Sequence, residues 1–317
     1  MRFPTLLAAI LAASSALAAD RTVTDDTGRS VAIPEQPARV VVMHEPLLGL
    51  PLMELGVDVV GSYGRKDDGS FITPVDFVDT VFGPGRVKPR GIGPVGQIDL
   101  EKLRALAPDL IVGMELDVEK VEQLSTVAPV YLQNVSTGKA HGFSVEEELA
   151  NVVGRKEAFA ARRSAYAARL AAVRKALPDD GKKKTYLAVF LTDQLNALGD
   201  MSGAVQALED LGYTRLSLAA ENAPAGQGGS MLLVPLGAEA FGRLNPDLLV
   251  LMNTYMGDAR DAQGTKAALE RIVPGWERFL APAKEGRVLY LDSAKVAMPT
   301  IASAEHTLDA VEAWIKR

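Results

Sequence analysis

One segment of this chain occurs twice, and it constrains the fold more than any bulk property. Residues 100–112 read Leu-Glu-Lys-Leu-Arg-Ala-Leu-Ala-Pro-Asp-Leu-Ile-Val, and residues 238–250 read Ala-Glu-Ala-Phe-Gly-Arg-Leu-Asn-Pro-Asp-Leu-Leu-Val. In each copy a glutamate, Glu101 or Glu239, stands seven residues before Pro-Asp-Leu, and an apolar run follows. Proline cannot continue a helix, and the residues after it favour a buried strand, so each copy reads as a helix feeding a strand. The copies lie 138 residues apart. That spacing implies two lobes of similar build, with one carboxylate at the matching place in each.

The rest of the chain extends this pattern. Residues 22–34 alternate around an Asp/Gly turn and predict a β-hairpin. Strands are expected at 39–43, 57–61, 110–114, 130–133, 185–191, 248–252 and 288–291. Helices are expected at 47–55, 205–211 and 304–315. Strand–helix alternation of this kind predicts mostly parallel sheets covered by helices. The stretch 155–177 breaks the alternation. Phe159, Tyr166, Leu170, Val173 and Leu177 fall on one helical face, and alanines fill much of the remainder. The expected architecture is therefore α/β: two doubly wound lobes (20–150 and 182–317), each with a central parallel sheet, joined by a single long α-helix at 155–178.

Residues 1–19 carry a different signal. Arg2, the apolar run 6–13 and the small-residue site Ala16-Leu17-Ala18 form the three regions of a secretory signal peptide, cleaved after Ala18 or Ala19. The run is well short of the roughly 20 residues a membrane-spanning helix needs. The chain has no cysteine, which leaves no disulfide and no thiol at the cleavage site for a lipid anchor. An exported, freely diffusing periplasmic protein is expected. The net charge of −6 argues against a nucleic-acid-binding surface.

Catalytic signatures are missing. The sequence has no Gly-x-Ser-x-Gly elbow, and its three histidines, His44, His141 and His306, do not form a His-Glu-x-x-His pair. Gly91-Ile92-Gly93-Pro94-Val95-Gly96 looks like a dinucleotide loop only superficially, because Pro94 lies inside it and no strand feeds a helix through it. A secreted enzyme with an interlobe active site, the rival reading, lacks a nucleophile–base pair and a metal cluster.

Several segments in order resemble the periplasmic substrate-binding proteins of iron–siderophore, haem and cobalamin ABC importers. They are the opening hairpin ending in Ile33-Pro34, the strand Arg39-Val40-Val41-Val42, and Leu55-Gly56-Val57-Asp58-Val59-Val60-Gly61. The strongest is Gly96-Gln97-Ile98-Asp99-Leu100-Glu101-Lys102-Leu103 running into Pro108-Asp109-Leu110-Ile111-Val112, and Gly286-Arg287-Val288-Leu289-Tyr290-Leu291-Asp292 follows late in the chain. The resemblance covers essentially the whole mature chain. It implies a monomeric carrier with no cofactor, whose ligand is a ferric chelate and whose iron is held by the chelator. It also implies that Glu101 and Glu239 dock onto arginines of the ABC permease. A glutamate in the first turn of a helix is favoured by the helix dipole alone; two at identical spacing fit a bidentate partner on each lobe.

The ligand of such a protein belongs between the lobes, at the loops following the strands. Those loops nominate His44, Tyr63, Arg65, Met114 and Glu115 in the first lobe, and Asn253, Tyr255, Lys295 and Met298 in the second. Arg90 and Arg260 are weaker candidates. Relatives that bind trianionic catecholates often carry arginine after these strands; Met114 and Asn253 stand there instead. A hydroxamate or hydroxycarboxylate siderophore of lower charge is therefore expected. Haem, with Tyr63, Tyr255 or His44 as axial ligand, and cobalamin are the alternatives.

Overall fold

A computed structural model describes residues 20–93, 97–135, 140–178, 183–216 and 233–316. The signal-peptide segment 1–19 and residues 94–96 of the glycine loop lie outside the described residues. The chain opens with the hairpin Asp20–Thr24 (β1) and Ser30–Pro34 (β2). Five parallel strands follow: Val40–Val42 (β3), Val59–Ser62 (β4), Arg90–Gly91 (β5), Leu110–Met114 (β6) and Val130–Gln133 (β7). They stand in the order β5-β4-β3-β6-β7. The second sheet contains Lys184–Leu191 (β8), Leu195–Leu198 (β9), Tyr213–Arg215 (β10), Leu233–Pro235 (β11), Leu248–Asn253 (β12) and Val288–Tyr290 (β13). Its order is β11-β9-β8-β12-β13, with β10 also on β8.

The second sheet departs from the expected parallel form at one edge. Strands β9 and β11 are antiparallel to their neighbours. Leu195-Asn196-Ala197-Leu198 contains no β-branched residue, so its strand character comes from pairing and not from propensity. The helix expected at 47–55 is two pieces, a wide helical turn over Glu45–Gly49 followed by an α-helix over Leu50–Glu54. The side chain of His44 opens that turn, its Nδ1 accepting the Leu47 N–H at 3.2 Å.

Side-chain alternation along the central strands sorts them into two layers. Leu110 and Val112 of β6, Tyr186, Ala188 and Phe190 of β8, and Leu248, Val250 and Met252 of β12 enter one core common to both sheets. Their neighbours Ile111, Leu187, Val189, Leu249 and Leu251 enter two separate outer cores. The long helix is Lys156–Ala176, about 32 Å at ~1.5 Å per residue. Its buried residues Phe159, Tyr166 and Val173, seven apart, close the common core.

The repeated Pro-Asp has the same task in both lobes. Asp109 accepts the backbone N–H groups of Ala38 and Arg39 at 2.8 and 3.0 Å, just ahead of β3. Asp247 accepts the Thr185 N–H at 2.7 Å and its hydroxyl at 2.9 Å, at the start of β8. Each aspartate begins one parallel strand and ties the first residues of its neighbour, which sets their register.

Polar groups also join the lobes. Arg162 of the long helix binds Glu54 at 2.7 Å and Glu305 at 2.7 Å. Glu54 and Glu146 accept the N–H groups of Ala302 (3.1 Å) and Ile301 (2.8 Å), at the first turn of the C-terminal helix Ile301–Ile315. Glu146 is fully buried, and its second oxygen has no partner. Burial, reinforced by the charge of Glu54, holds the Glu146 carboxyl well above the usual range.

Two predictions follow from these contacts. Asp109→Ala and Asp247→Ala should each lower stability by about 1–2 kcal/mol in urea unfolding, from two lost hydrogen bonds to the neighbouring strand. The second concerns pH. The folded state keeps a proton on Glu146 that the unfolded chain releases, so stability is lost as pH rises above the ordinary carboxylate range. Glu146→Gln, which keeps the acceptor for Ile301, should raise Tm at pH 8, and the gain should vanish near pH 4.

Candidate functional site

A cavity of about 360 Å³ opens where the strand ends of the first lobe face the second. Its wall includes Met43, His44, Leu47, Tyr63, Phe71, Phe77, Met114, Asp117 and Lys120 of the first lobe, and Tyr255 and Met298 of the second. Five nominated residues thus come together: His44, Tyr63, Met114, Tyr255 and Met298. The lining is mostly aromatic, aliphatic and thioether, which adapts to a bulky ligand. Tyr255 meets Phe77 of the opposite lobe edge-on at 5.2 Å and Phe190 of its own sheet at 5.7 Å. Phe71 continues the row at 6.0 Å from Phe77.

The ionisable groups of the cleft are few. Lys120 pairs with Asp117, whose other oxygen takes the Met114 N–H at 3.0 Å. The Lys120 ammonium also lies 5.9 Å from the centre of the Tyr63 ring. Burial pushes the His44 imidazole down to about 4, against the pull of Asp117, so it is neutral at ordinary pH. Because Nδ1 accepts from Leu47, the proton sits on Nε2. The Tyr63 hydroxyl is buried and has no partner.

Arg65 corrects the expectation. It is 2% exposed and lies behind the cleft wall, not in it. Its five N–H donors meet five acceptors: Glu45 at 2.7 and 2.6 Å, Asp76 at 2.9 and 3.2 Å, and the Gly69 carbonyl at 2.8 Å. Ser62 donates to Glu45 at 2.6 Å. The guanidinium therefore binds the turn after β3, the loop after β4 and the helix Phe77–Phe82 together. These segments carry His44, Phe71 and Phe77 into the cleft.

The remaining nominees lie elsewhere. Glu115 turns to the Val135 N–H at 3.0 Å. Asn253 is committed to its own loop, donating to the Ala259 carbonyl at 2.7 Å. Arg260 pairs with Asp292 at 3.1 Å and the Gly257 carbonyl at 2.8 Å. Lys295 is exposed and outside the cavity. Arg90 is on the edge strand β5, beside a separate polar hollow shared with Asp67, Lys88 and Lys102. Sequence reasoning missed Phe71, Phe77, Asp117 and Lys120. The pair Phe71-Ile72 inside a Gly- and Asp-rich loop was the available signal, since such loops seldom carry apolar residues without a packing role.

Glu101 and Glu239 occupy equivalent places. Each is the second residue of a six-residue helix, Leu100–Ala105 and Ala238–Arg243, and their side chains are 87% and 83% exposed. Each pairs within its helix, with Arg104 at 2.7 Å and with Arg243. A helix leading back into a parallel strand runs against it. Both glutamates therefore stand on the face where the strands end and the cleft opens.

The chain matches a family model described as periplasmic binding protein over residues 76–294. It belongs to that family. Its members are binding proteins and not enzymes. No curated protein matches the chain. Solved structures do: holo-ViuP at a TM-score of 0.70 and 19% identity, covering 92% of this chain and 93% of that one; the petrobactin-binding protein YclQ of Bacillus subtilis at 0.66 and 20%, covering 94% and 99%; and the siderophore-binding protein BauB, bound to two molecules of acinetobactin and ferric iron, at 0.63 and 18%, covering 94% and 99%. At these identities the likeness establishes the fold, two α/β lobes on a long helix. No helix among the described residues is long and apolar enough to cross a membrane.

Arg65→Met should leave Glu45 buried without its counter-charge. A loss of about 3–5 kcal/mol is expected in chemical unfolding, together with increased protease cleavage in the loop 66–75.

Proposed function

We propose that this periplasmic binding protein captures a ferric siderophore of hydroxamate or hydroxycarboxylate type in its interlobe cleft and delivers it, as an exported monomer, to an ABC permease. The observation that carries the reading is the cleft itself: an aromatic and thioether-lined cavity between the lobes, with neutral His44 and a lysine already paired. A strongly negative catecholate complex would need free guanidinium groups there. Arg65 is fully engaged behind the wall, Arg260 is paired with Asp292, and Arg90 is on another surface. The structural likeness to a petrobactin-binding protein and to BauB bound to acinetobactin and ferric iron supports a chelate as the ligand class.

Haem is the second reading from the same family. His44 suits it poorly. An axial histidine binds iron through a lone pair and donates its other N–H to a neighbour, whereas His44 Nδ1 accepts from Leu47 and Nε2 carries the proton. Tyr63 and Tyr255 are the residues left to ligate haem iron.

Delivery rests on Glu101 and Glu239. Two exposed carboxylates on rigid helices, one per lobe and on the cleft face, offer a permease two anchor points at fixed separation. The long helix and the common core favour a small lobe movement on binding.

Two measurements test the reading. Titration with a ferric cyclic trihydroxamate, a ferric citrate-type chelate, a ferric tricatecholate, haemin and cobalamin should quench tyrosine and tryptophan fluorescence at micromolar or lower concentration for the first two. Quenching by haemin alone would overturn the assignment. The double variant Glu101→Arg/Glu239→Arg should bind the chelate as wild type does and reduce uptake in cells at least tenfold; unchanged uptake would remove the docking role.

A further inference from the structure

We propose that the cleft distinguishes the metal-loaded chelate from the metal-free chelator by hydrogen-bond polarity. The inference rests on the reading of the cleft as a chelate site. The first-lobe wall offers donors. The Tyr63 hydroxyl is buried without a partner. His44 presents Nε2–H, since Nδ1 accepts from Leu47, and nothing among the described residues receives that proton. Lys120 is bonded to Asp117 through one proton and keeps two more.

The two carboxylates on the same wall are already taken. Glu45 receives Ser62 and Arg65 and is fully buried. Asp117 receives Lys120 and the Met114 N–H and is 3% exposed. Thr73 donates its hydroxyl proton to the Val75 carbonyl at 2.8 Å, which leaves its oxygen as a single weak acceptor. Tyr255, across the cleft, can act either way.

That polarity matches one form of the cargo. In a ferric hydroxamate or hydroxycarboxylate complex the chelating oxygens have lost their protons to solvent and present lone pairs only. The metal-free chelator carries an O–H on those oxygens. Set against the His44 Nε2–H and the Lys120 ammonium, which cannot accept, each such O–H leaves a donor facing a donor, and a buried donor without an acceptor is costly; the Tyr63 hydroxyl, able to donate or accept, serves either form. The wall therefore favours loaded cargo independently of the ligand's stiffness.

The test uses one macrocyclic trihydroxamate in its ferric, gallium(III) and metal-free forms, titrated calorimetrically into the intact protein at pH 7. Gallium reproduces the charge and deprotonation of the ferric complex without redox chemistry. Equal affinity for the ferric and gallium forms is expected, with the metal-free form at least tenfold weaker. Lys120→Met should weaken the loaded forms about five- to tenfold and, by removing a donor that faces the chelator O–H, leave the metal-free form no weaker, so that the discrimination ratio falls; Tyr63→Phe, which removes a hydroxyl able to serve either form, should weaken both. A ratio preserved in Lys120→Met would assign the preference to ligand rigidity and overturn the proposal. Equal wild-type affinity for loaded and metal-free forms would do the same. Binding of no chelate in any form would overturn the chelate reading itself, a distinguishable result.

Discussion

Everything in this molecule depends on a core that belongs to both lobes. Residues at alternate positions of β6, β8 and β12 leave their own sheets and meet Phe159, Tyr166 and Val173 of the long helix in one continuous apolar body. Separate lobes on a flexible tether would each need a closed core and could take many relative positions. A shared core removes that freedom, because parting the lobes would expose its apolar surface to water. The cleft lies at the edge of that packed interior. Its aromatic row from Phe71 through Phe77 and Tyr255 to Phe190 is the place where that interior reaches the surface.

Polar groups refine what the core imposes. Arg162, the carboxylates of Glu54 and Glu305 and the carboxyl of Glu146 define how the C-terminal helix meets the first lobe. Arg65 performs a comparable task beside the cavity, joining three segments that carry cleft residues. Buried ionic groups are poor sources of net stability, and their value here is geometric. Each is directional where apolar packing is not, and each orients a segment that the cleft or the interlobe contact needs.

Much of the architecture was legible in advance. The repeat at Glu101 and Glu239 announced two lobes, and the apolar spacing of Phe159, Tyr166 and Val173 announced the helix between them. Periodicity and proline placement are local signals, so they survive without knowledge of the partner. The antiparallel edge of β9 and β11 was not legible, since Leu195–Leu198 becomes a strand only through its neighbours. For the site, loop position after a strand brought His44, Tyr63, Met114, Tyr255 and Met298 to the cavity. The same rule misplaced Arg65, Asn253 and Arg260. A loop position says which end of the sheet a side chain occupies, not whether a neighbouring carboxylate or carbonyl has already bound it.

The sequence alone determined the two-lobe plan, the long helix and the paired glutamates at equivalent helix starts, because spacing along the chain encodes all three. The tertiary structure alone decided which polar groups are free. The Arg65 side chain is committed to Glu45 and Asp76, which are separated from it by 20 and 11 residues, and the Tyr63 hydroxyl is left without a partner. Hydrogen-bond partners are chosen by proximity in space, and neither the identity of a residue nor its place in the chain records that choice.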